Sequence, residues 1–245
     1  MKMYAFAAVF AAAAMLTAAD EVINFSMQEA APDKITNSGS VQLPLQLRNP
    51  EKLSVKPGRA GKNALFFDNP VNSSSDRGKH GAIWINNKQG QINFAQPFSI
   101  TAWIWMAPDM KRQAYYSIVT DTQGVKGPGF RFFYAYERLE FRLGNGKEFA
   151  AAVVDSAKHP MPRGVWHHVA AVFDGKSANI YINGALAASK EIGSMQPAAA
   201  SNALTIGSYR FGYDEGWRGA IYDLKIFARA LPPAAILSMV QTDDE

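Results

Sequence analysis

The polar and apolar residues of this chain alternate in short runs instead of repeating with a helical period. Most runs are rich in β-branched and aromatic residues and are bounded by turn residues, as strands are. In Phe98–Met106 the alternation places Trp103 and Trp105 on the face opposite to the aliphatic side chains. Apolar residues on both faces of a strand favour a two-sheet sandwich. The predicted strands are Val22–Met27, Ala64–Asp68, Ala82–Asn86, Phe98–Met106, Tyr115–Thr120, Phe130–Tyr136, Leu139–Leu143, Phe149–Val154, Trp166–Phe173, Ala178–Ile182, Leu204–Ser208 and Ala220–Phe227.

Three dipeptides between apolar runs favour tight turns: Asn145-Gly146, Asp174-Gly175 and Asn183-Gly184. Asn-Gly and Asp-Gly adopt the positive φ angles that two-residue hairpin loops require. The segment 166–188 is therefore predicted to be a strand–turn–strand hairpin with a second turn. A helix is predicted only at Pro232–Val240, where the prolines suit a first helical turn.

The stretch 27–62 is rich in Pro, Ser, Asn, Gly and Lys. It is predicted to be a long excursion between the first strand and the body of the fold. Many short strands without alternating helices indicate an all-β protein, and we predict a two-sheet antiparallel jelly-roll sandwich with one short C-terminal helix. Alternation also predicts that Tyr134 and Tyr136 share a strand face, opposite Phe133.

The composition is that of one globular domain. The chain has 245 residues, of which 48% are hydrophobic and 19% charged, so it is too apolar to be disordered and long enough to bury a sizeable core. It contains no cysteine, which excludes disulfide scaffolds, thiolate metal sites and thiol catalysis. The net charge is +4 and most basic residues stand singly, so we expect no nucleic-acid partner.

Residues 1–19 have the pattern of an export signal. The basic start Met1-Lys2 precedes an apolar run that ends at Leu16, and Thr17-Ala18-Ala19 is a small-residue cleavage site. The apolar run is too short to span a bilayer as a helix, and no later run is long enough. We predict cleavage after Ala19, one domain over 20–245, no membrane span, and a periplasmic or extracellular location.

Three segments, in their order and spacing, resemble the laminin-G-like jelly roll of the concanavalin A-like lectin and glucanase superfamily. Residues 98–104 (FSITAWI) are similar to the family's F-T-I-S-A-W-V strand, and residues 166–184 contain W-H-H-V-A, F-D-G and I-Y-I-N-G as the family's hairpin does. Residues 204–231 are similar to the family's L-x-I-G and G-x-I-D-E-V-R-I-Y-N-R-A-L, and residues 61–68 to its G-x-A-L-x-F-D-G. The resemblance spans roughly residues 22–240. It implies two packed antiparallel sheets in a secreted domain that binds glycans or other surface ligands.

Aromatic residues are concentrated in the segment 209–217, where they make up four of nine residues and two glycines indicate a loop. Aromatic rings beside polar side chains suit a sugar, which has apolar C–H faces and hydroxyl rims. For Trp217 the alternative is a core position at the end of the sandwich, because the family has an apolar or aromatic residue there. The candidate ligand-binding residues are Tyr209, Arg210, Tyr213, Asp214 and Trp217.

The resemblance also implies a calcium ion at the edge of the sandwich, held by the acids of the F-D-G turn and the I-D-E strand. Asp68 matches the first position, although Asn69 stands where the family has glycine. Asp223 matches the second position, and Tyr222 replaces the preceding aspartate of the family. Calcium takes roughly six to eight oxygen ligands, so this replacement removes one hard ligand. Asp68 and Asp223 are therefore the candidate metal residues.

The sequence shows no catalytic motif of the common hydrolase classes. Glycoside hydrolysis needs two carboxylates that flank the bond, and Glu137 and Glu140 would face opposite ways on a strand. His167 and His168 would do the same, so they cannot bind one metal ion. We favour a domain that binds a carbohydrate or a glycan-bearing surface without catalysis of its own. Two alternatives stay open: a glycoside hydrolase with a non-standard acid pair, and a protein-binding adhesion or scaffold module.

Overall fold

The computed structural model describes residues 21–71, 74–122, 124–200 and 203–242, and the predicted export signal lies outside them. Within these ranges the chain forms fifteen strands and one α-helix. The strands are β1 (Glu21–Phe25), β2 (Leu45–Arg48), β3 (Leu53–Pro57), β4 (Asn63–Asp68), β5 (Ala82–Ile85), β6 (Phe98–Met106), β7 (Tyr115–Thr120), β8 (Gly129–Ala135), β9 (Arg138–Gly144), β10 (Phe149–Val153), β11 (Trp166–Phe173), β12 (Ser177–Ile182), β13 (Ala185–Glu191), β14 (Leu204–Ile206) and β15 (Arg218–Phe227), and the helix is α1 (Pro233–Thr242).

The strands form two antiparallel sheets that pack face to face. The eight-stranded sheet has the order β13-β12-β11-β6-β15-β4-β3, and β1 pairs with the second half of β15 beside β4. The seven-stranded sheet has the order β10-β9-β8-β7-β14-β5-β2. Some consecutive strands, such as β8 and β9, are neighbours in one sheet, whereas others, such as β5 and β6, lie in different sheets. The architecture confirms the predicted all-β jelly-roll sandwich.

The inner faces of both sheets contribute to one core. Phe98 of β6 packs against Phe130 of β8, with ring centroids 5.1 Å apart, and against Phe173 of β11 at 6.2 Å. Phe94 contacts both Phe98 and Phe130 edge to face at 5.0 and 4.8 Å. Such pairs contribute roughly 0.5–1.5 kcal/mol each beyond the area that they bury. This core supports the outer faces on which ligands can bind.

Helix α1 lies on the outer face of the eight-stranded sheet. Ile236 of the helix and Leu231 before it pack against Ala170, Tyr181 and Phe227 of the sheet. This contact explains why β11 and β15 are apolar on both faces. Helix α1 is close to its predicted bounds, and no helix in the described part of the chain is long and apolar enough to cross a membrane.

The pattern of the sequence predicts most strands, and β6, β7 and β11 have the predicted bounds. The stretch 27–62 is the main error, because it contains β2 and β3 instead of a long excursion. Both are edge strands, one in each sheet. An edge strand has a neighbour on one side only, so a short run with one apolar face suffices; in β2, half-buried Leu45 and Leu47 alternate with exposed polar residues.

Tyr136 does not share a strand face with Tyr134, because β8 ends at Ala135. Tyr136 and Glu137 form the turn between β8 and β9, with φ angles of 50° and 63°. Positive φ at two successive residues is the geometry of a two-residue hairpin turn. The sequence lacks the usual Asn-Gly or Asp-Gly signal there, so alternation alone extended the strand one residue too far.

One buried acid gives the fold a specific pH dependence. Asp121 follows β7 and is buried, and its Oδ1 accepts the Phe130 N–H at 2.5 Å. Burial raises the pKa of Asp121 from 3.8 to about 8. Between these values the folded state keeps a proton that the unfolded state has lost, so the free energy of unfolding falls as pH rises.

We expect Asp121→Asn to weaken this pH dependence, because the amide does not titrate and its oxygen still accepts the Phe130 N–H. Urea unfolding from about pH 4 to about pH 8 measures the effect. His80 and His167 act in the opposite direction, since burial lowers the pKa of each imidazole, but both are present in the two proteins compared. Equal pH slopes for the variant and the unsubstituted protein would contradict the assignment.

Candidate functional site

The segment between β14 and β15 folds into a tight loop on the outer face of the seven-stranded sheet. Tyr209 and Asp214 pair through their backbones, with the Tyr209 N–H donating to the Asp214 carbonyl at 2.9 Å. The Ser208 hydroxyl donates to the same carbonyl at 2.7 Å. Gly212 has a φ of 77° and packs so closely against His80 that a Cβ would lie 2.6 Å from its carbonyl oxygen. These contacts fix the side chains of the loop relative to the sheet.

A buried ion pair joins this loop to the sheet below. Arg131 of β8 is 4% exposed and its guanidinium donates to Glu215 Oε2. The Ser117 hydroxyl of β7 donates to the same oxygen at 3.1 Å, and the Ser117 N–H donates to the Glu215 carbonyl at 2.8 Å. Burial raises the pKa of the Glu215 carboxyl, and the positive charge of Arg131 opposes that rise. The pair therefore holds the loop only while Arg131 compensates the buried charge.

Arginines and aromatic rings alternate across this face in one continuous stack, which we call the arginine–aromatic ladder. Arg131 lies 4.2 Å from the ring centroid of Tyr209 on one side and 4.4 Å from that of Phe133 on the other. Each desolvated cation–π contact contributes up to about 2 kcal/mol, and exposed ones less. The ladder consists, in order, of Arg77, Tyr213, Arg210, Tyr209, Arg131, Phe133, Arg142 and Phe149.

Three arginines of the ladder are also paired with a carboxylate. Arg131 pairs with Glu215, Arg142 with Glu140 on the same strand, and Arg210 with Asp214 of the loop. Charge-assisted pairs of this kind hold an arginine in one orientation. The ladder is thus rigid in its middle and presents both hydrogen-bond donors and acceptors along its length.

Both ends of the ladder are open to solvent. Exposed Arg77 and the Tyr213 ring, which is 43% exposed, stand at one end, and Phe149, which is 42% exposed, stands at the other. Tyr115 and Tyr136 stand beside the middle of the ladder, 39% and 48% exposed, with their ring centroids 5.2 Å apart. Exposed rings next to fixed polar groups can stack on a flat apolar ligand face and hydrogen-bond its rim.

The structure brings four of the five predicted ligand-binding residues together. Tyr209, Arg210 and Tyr213 are members of the ladder, and Asp214 holds Arg210 through two contacts to its guanidinium. Tyr209 is only 6% exposed, so its ring positions Arg131 more than it contacts ligand.

Trp217 needs correction as a ligand-binding residue. Its side chain is fully buried in the main core, and its indole N–H donates to the Ala220 carbonyl at 3.3 Å. No surface of the ring is available to a ligand. The structure therefore gives Trp217 the core position that the sequence offered as the alternative.

Sequence reasoning missed the half of the ladder that lies on the sheet: Arg131, Phe133, Arg142 and Phe149. These residues come from three strands and are joined only by strand pairing, in which Arg131 lies opposite Arg142. Arginine in the middle of an otherwise apolar strand was the one available signal, because a buried charge requires a partner.

Asp68 and Asp223 do not fit a shared calcium ion. Asp68 is the register partner of Arg218 on β15, five residues from Asp223, which corresponds to roughly 15 Å along a strand. Arg218 pairs with Asp68 at 3.2 Å and Lys225 pairs with Asp223 at 2.9 Å. In the described ranges no cluster of three or more His, Asp or Glu side chains could hold a metal ion.

The fold defines a class of protein, the two-sheet jelly-roll sandwiches, and several solved binding domains share it. The binding domain of Paraclostridial Mosquitocidal Protein 1 superimposes with a TM-score of 0.68 at 16% identity, over 92% of this chain and 53% of its own. The binding domain of botulinum neurotoxin DC, solved in complex with rat synaptotagmin II, gives 0.68 at 15% identity over 93% and 52%. A third match, at 0.65 and 15% over 92% and 52%, is a structure of botulinum neurotoxin type C, whose cell entry depends upon interaction with two ganglioside molecules. This chain spans about half the length of each.

The chain belongs to the concanavalin A-like lectin/glucanases superfamily, since the model of its laminin-G family matches residues 77–237. This match confirms the resemblance seen in the strand motifs. A comparison with curated proteins finds no match.

Proposed function

We propose that this protein is an exported jelly-roll module that binds a carbohydrate or a glycan-bearing surface without catalysis of its own. The observation that carries the proposal is the arginine–aromatic ladder, whose two outermost rings, Tyr213 and Phe149, are half-exposed. The part of the proposal that concerns export rests on the predicted signal at residues 1–19.

A sugar ring needs an apolar platform and hydrogen-bonding groups at its edge. Tyr213 supplies the platform, and Arg210 beside it stacks on the same ring while it pairs with Asp214. An arginine–carboxylate pair offers donors and acceptors in one plane, which matches the paired hydroxyls of a sugar. From β7 to β10 the face spans about 14 Å at ordinary strand spacing, which is enough for an oligosaccharide.

The structural neighbours support a surface-binding role. Cell entry of one neighbour depends upon interaction with two ganglioside molecules, and another was solved in complex with rat synaptotagmin II. These functions belong to chains about twice as long, so they favour the general role and leave the ligand open. A protein partner remains the alternative from the sequence, and an extended flat apolar patch would favour it. The ladder instead alternates charges with rings.

We expect Tyr213→Ala and Phe149→Ala each to weaken glycan binding about tenfold, because loss of one stacked ring removes roughly 1–2 kcal/mol. A glycan array with the chain 20–245 would identify the ligand, and titration of the best glycan would measure the loss. Leu186→Ala is the matched control, since Leu186 is 52% exposed on the other sheet. Equal losses in the control would contradict a specific site.

The same array separates the alternatives. Binding to no glycan would overturn the proposal, and release of reducing ends from a bound glycan would favour the hydrolase. We expect a chelator to leave binding unchanged, because Asp68 and Asp223 are separated and paired with cations. Binding that requires calcium would show that the ion is held by other residues.

A further inference from the structure

A surface pocket lies on the outer face of the eight-stranded sheet, on the side of the molecule opposite to the ladder. This pocket, the Trp105 groove, has a volume of about 220 Å³ and is lined chiefly by Lys56, Phe66, Asp68, Trp105 and Arg218. The ladder lies on the outer face of the other sheet, so the two surfaces share no residue.

Strand register builds the groove. Trp105 of β6 and Phe66 of β4 are both register partners of Ala220 on β15, which lies between them. The small side chain of Ala220 lets the two aromatic side chains lean towards each other across β15. The two ring centroids are 6.1 Å apart and the ring planes are inclined at 55°, so the rings contact each other above Ala220, which is fully buried. Together they form one continuous aromatic wall of the groove, which faces Lys56, Asp68 and Arg218.

Charged groups stand at the edge of this depression. Arg218 donates to Asp109 from Nε at 2.9 Å, to Asp68 from Nη1 at 3.2 Å, and to the Asn69 carbonyl at 2.5 Å. Lys56 Nζ lies 5.6 Å from the ring centroid of Phe66. Arg218 is fully engaged, whereas the Asp68 side chain is 78% exposed and presents carboxylate oxygen to solvent.

The balance of charge restricts the ligand. Two cations, Lys56 and Arg218, stand beside two carboxylates, Asp68 and Asp109. The groove therefore has no net charge, which favours an uncharged ligand. The aromatic wall favours the C–H face of a pyranose, and an exposed carboxylate accepts hydrogen bonds from its hydroxyls. The volume is below the roughly 300–1,000 Å³ of pockets that hold drug-sized ligands, which limits the groove to about one ring.

The groove carboxylate Asp109 does not suit the general acid of a glycoside hydrolase. One acid of such a pair must stay protonated, which requires a raised pKa. The hydrogen bond from Arg218 instead lowers the pKa of Asp109. We propose that the Trp105 groove is a binding site for a single neutral sugar residue, independent of the ladder.

The test is a titration with D-glucose, D-galactose and D-mannose, followed by the indole N–H resonance of Trp105 in ¹H–¹⁵N spectra. The Trp105→Phe spectrum, which lacks that resonance, assigns it among the five tryptophans. We expect a saturable shift with at least one of the three sugars. Glucuronate is expected to bind no more tightly than glucose, because Asp68 and Asp109 already balance the two cations of the groove.

Asp68→Ala is expected to weaken the binding about tenfold or more, since it removes a charged hydrogen-bond acceptor. The variant should fold, because Asp68 is exposed and Asp109 still holds Arg218. Asp155→Ala, another exposed aspartate, and Tyr213→Ala in the ladder are the controls and should leave the affinity unchanged. The proposal is overturned if no sugar shifts the resonance, if Asp68→Ala binds as tightly as the unsubstituted protein, or if glucuronate binds more tightly than glucose.

Discussion

Arg131→Ala is expected to lower the free energy of unfolding by about 3–5 kcal/mol, because it leaves the Glu215 carboxylate buried without its cation. Arg131 is 4% exposed and its guanidinium is enclosed between the rings of Phe133 and Tyr209. Loss of this side chain also removes the contact that joins the loop 209–216 to β8. Urea unfolding of the variant and of the unsubstituted protein measures the difference.

The effect should depend on pH in a defined direction. Burial already raises the pKa of Glu215, and loss of Arg131 raises it further. Protonation of Glu215 removes the uncompensated charge, so we expect the destabilisation to shrink as pH falls.

The matched control is the double variant Arg131→Met with Glu215→Leu. It removes both charges and fills their space, and replacement of a buried pair by apolar residues is often neutral or stabilising. We expect it to recover most of the stability that Arg131→Ala loses. A single variant that loses less than about 1 kcal/mol, or a double variant as unstable as the single one, would show that the ion pair does not hold the loop.

Trp217→Ala is expected to lower the free energy of unfolding by about 3–5 kcal/mol, as truncation of a large core aromatic residue does. Trp217 is fully buried. Its backbone N–H donates to the Gly207 carbonyl at 2.7 Å, and its backbone carbonyl accepts from the Asn69 side-chain amide at 2.8 Å. The truncation leaves a cavity where the loop returns to β15. The expected decrease of the thermal midpoint is roughly 6–20 °C.

Binding measurements separate the two roles considered for Trp217. Trp217→Phe should lose less stability than Trp217→Ala, because it keeps part of the packing. Below its thermal midpoint the Ala variant should bind glycan with unchanged affinity, since the ladder does not include Trp217. Unchanged stability together with lost binding would restore Trp217 as a ligand-binding residue.

The ladder supports the proposal that the loop 209–216 acts as a binding platform. Its loop half, Tyr209 to Tyr213, stacks on residues whose positions are fixed by strand pairing. A ligand then meets rings that are already ordered, so little conformational entropy is lost on binding. The two variants above test the two anchors of this arrangement, one at the sheet and one in the core.

The sequence alone determined most strands, three of the turns and the class of fold, because these depend on neighbours along the chain. Alternation predicted the bounds of β6, β7 and β11, and Asp-Gly and Asn-Gly predicted the turns around β12. The loop 209–217 was recognisable by its composition. The short edge strands β2 and β3 were missed, since a few residues with one half-buried face give a weak pattern.

Only the tertiary structure decided which residues meet. Arg131 and Glu215 are 84 residues apart in the chain, and no local pattern joins them. Asn69 differs from the family's glycine, yet its buried amide links Gly81 and Trp217 through hydrogen bonds of 2.6 and 2.8 Å. The resemblance suggested that Asp68 and Asp223 share an ion. Asp68 on β4 instead pairs with Arg218, which lies five residues before Asp223 on β15. The local pattern determines which face of a strand a side chain occupies. Its partner is determined by strand register and by where each loop packs, and both depend on the packing of the two sheets.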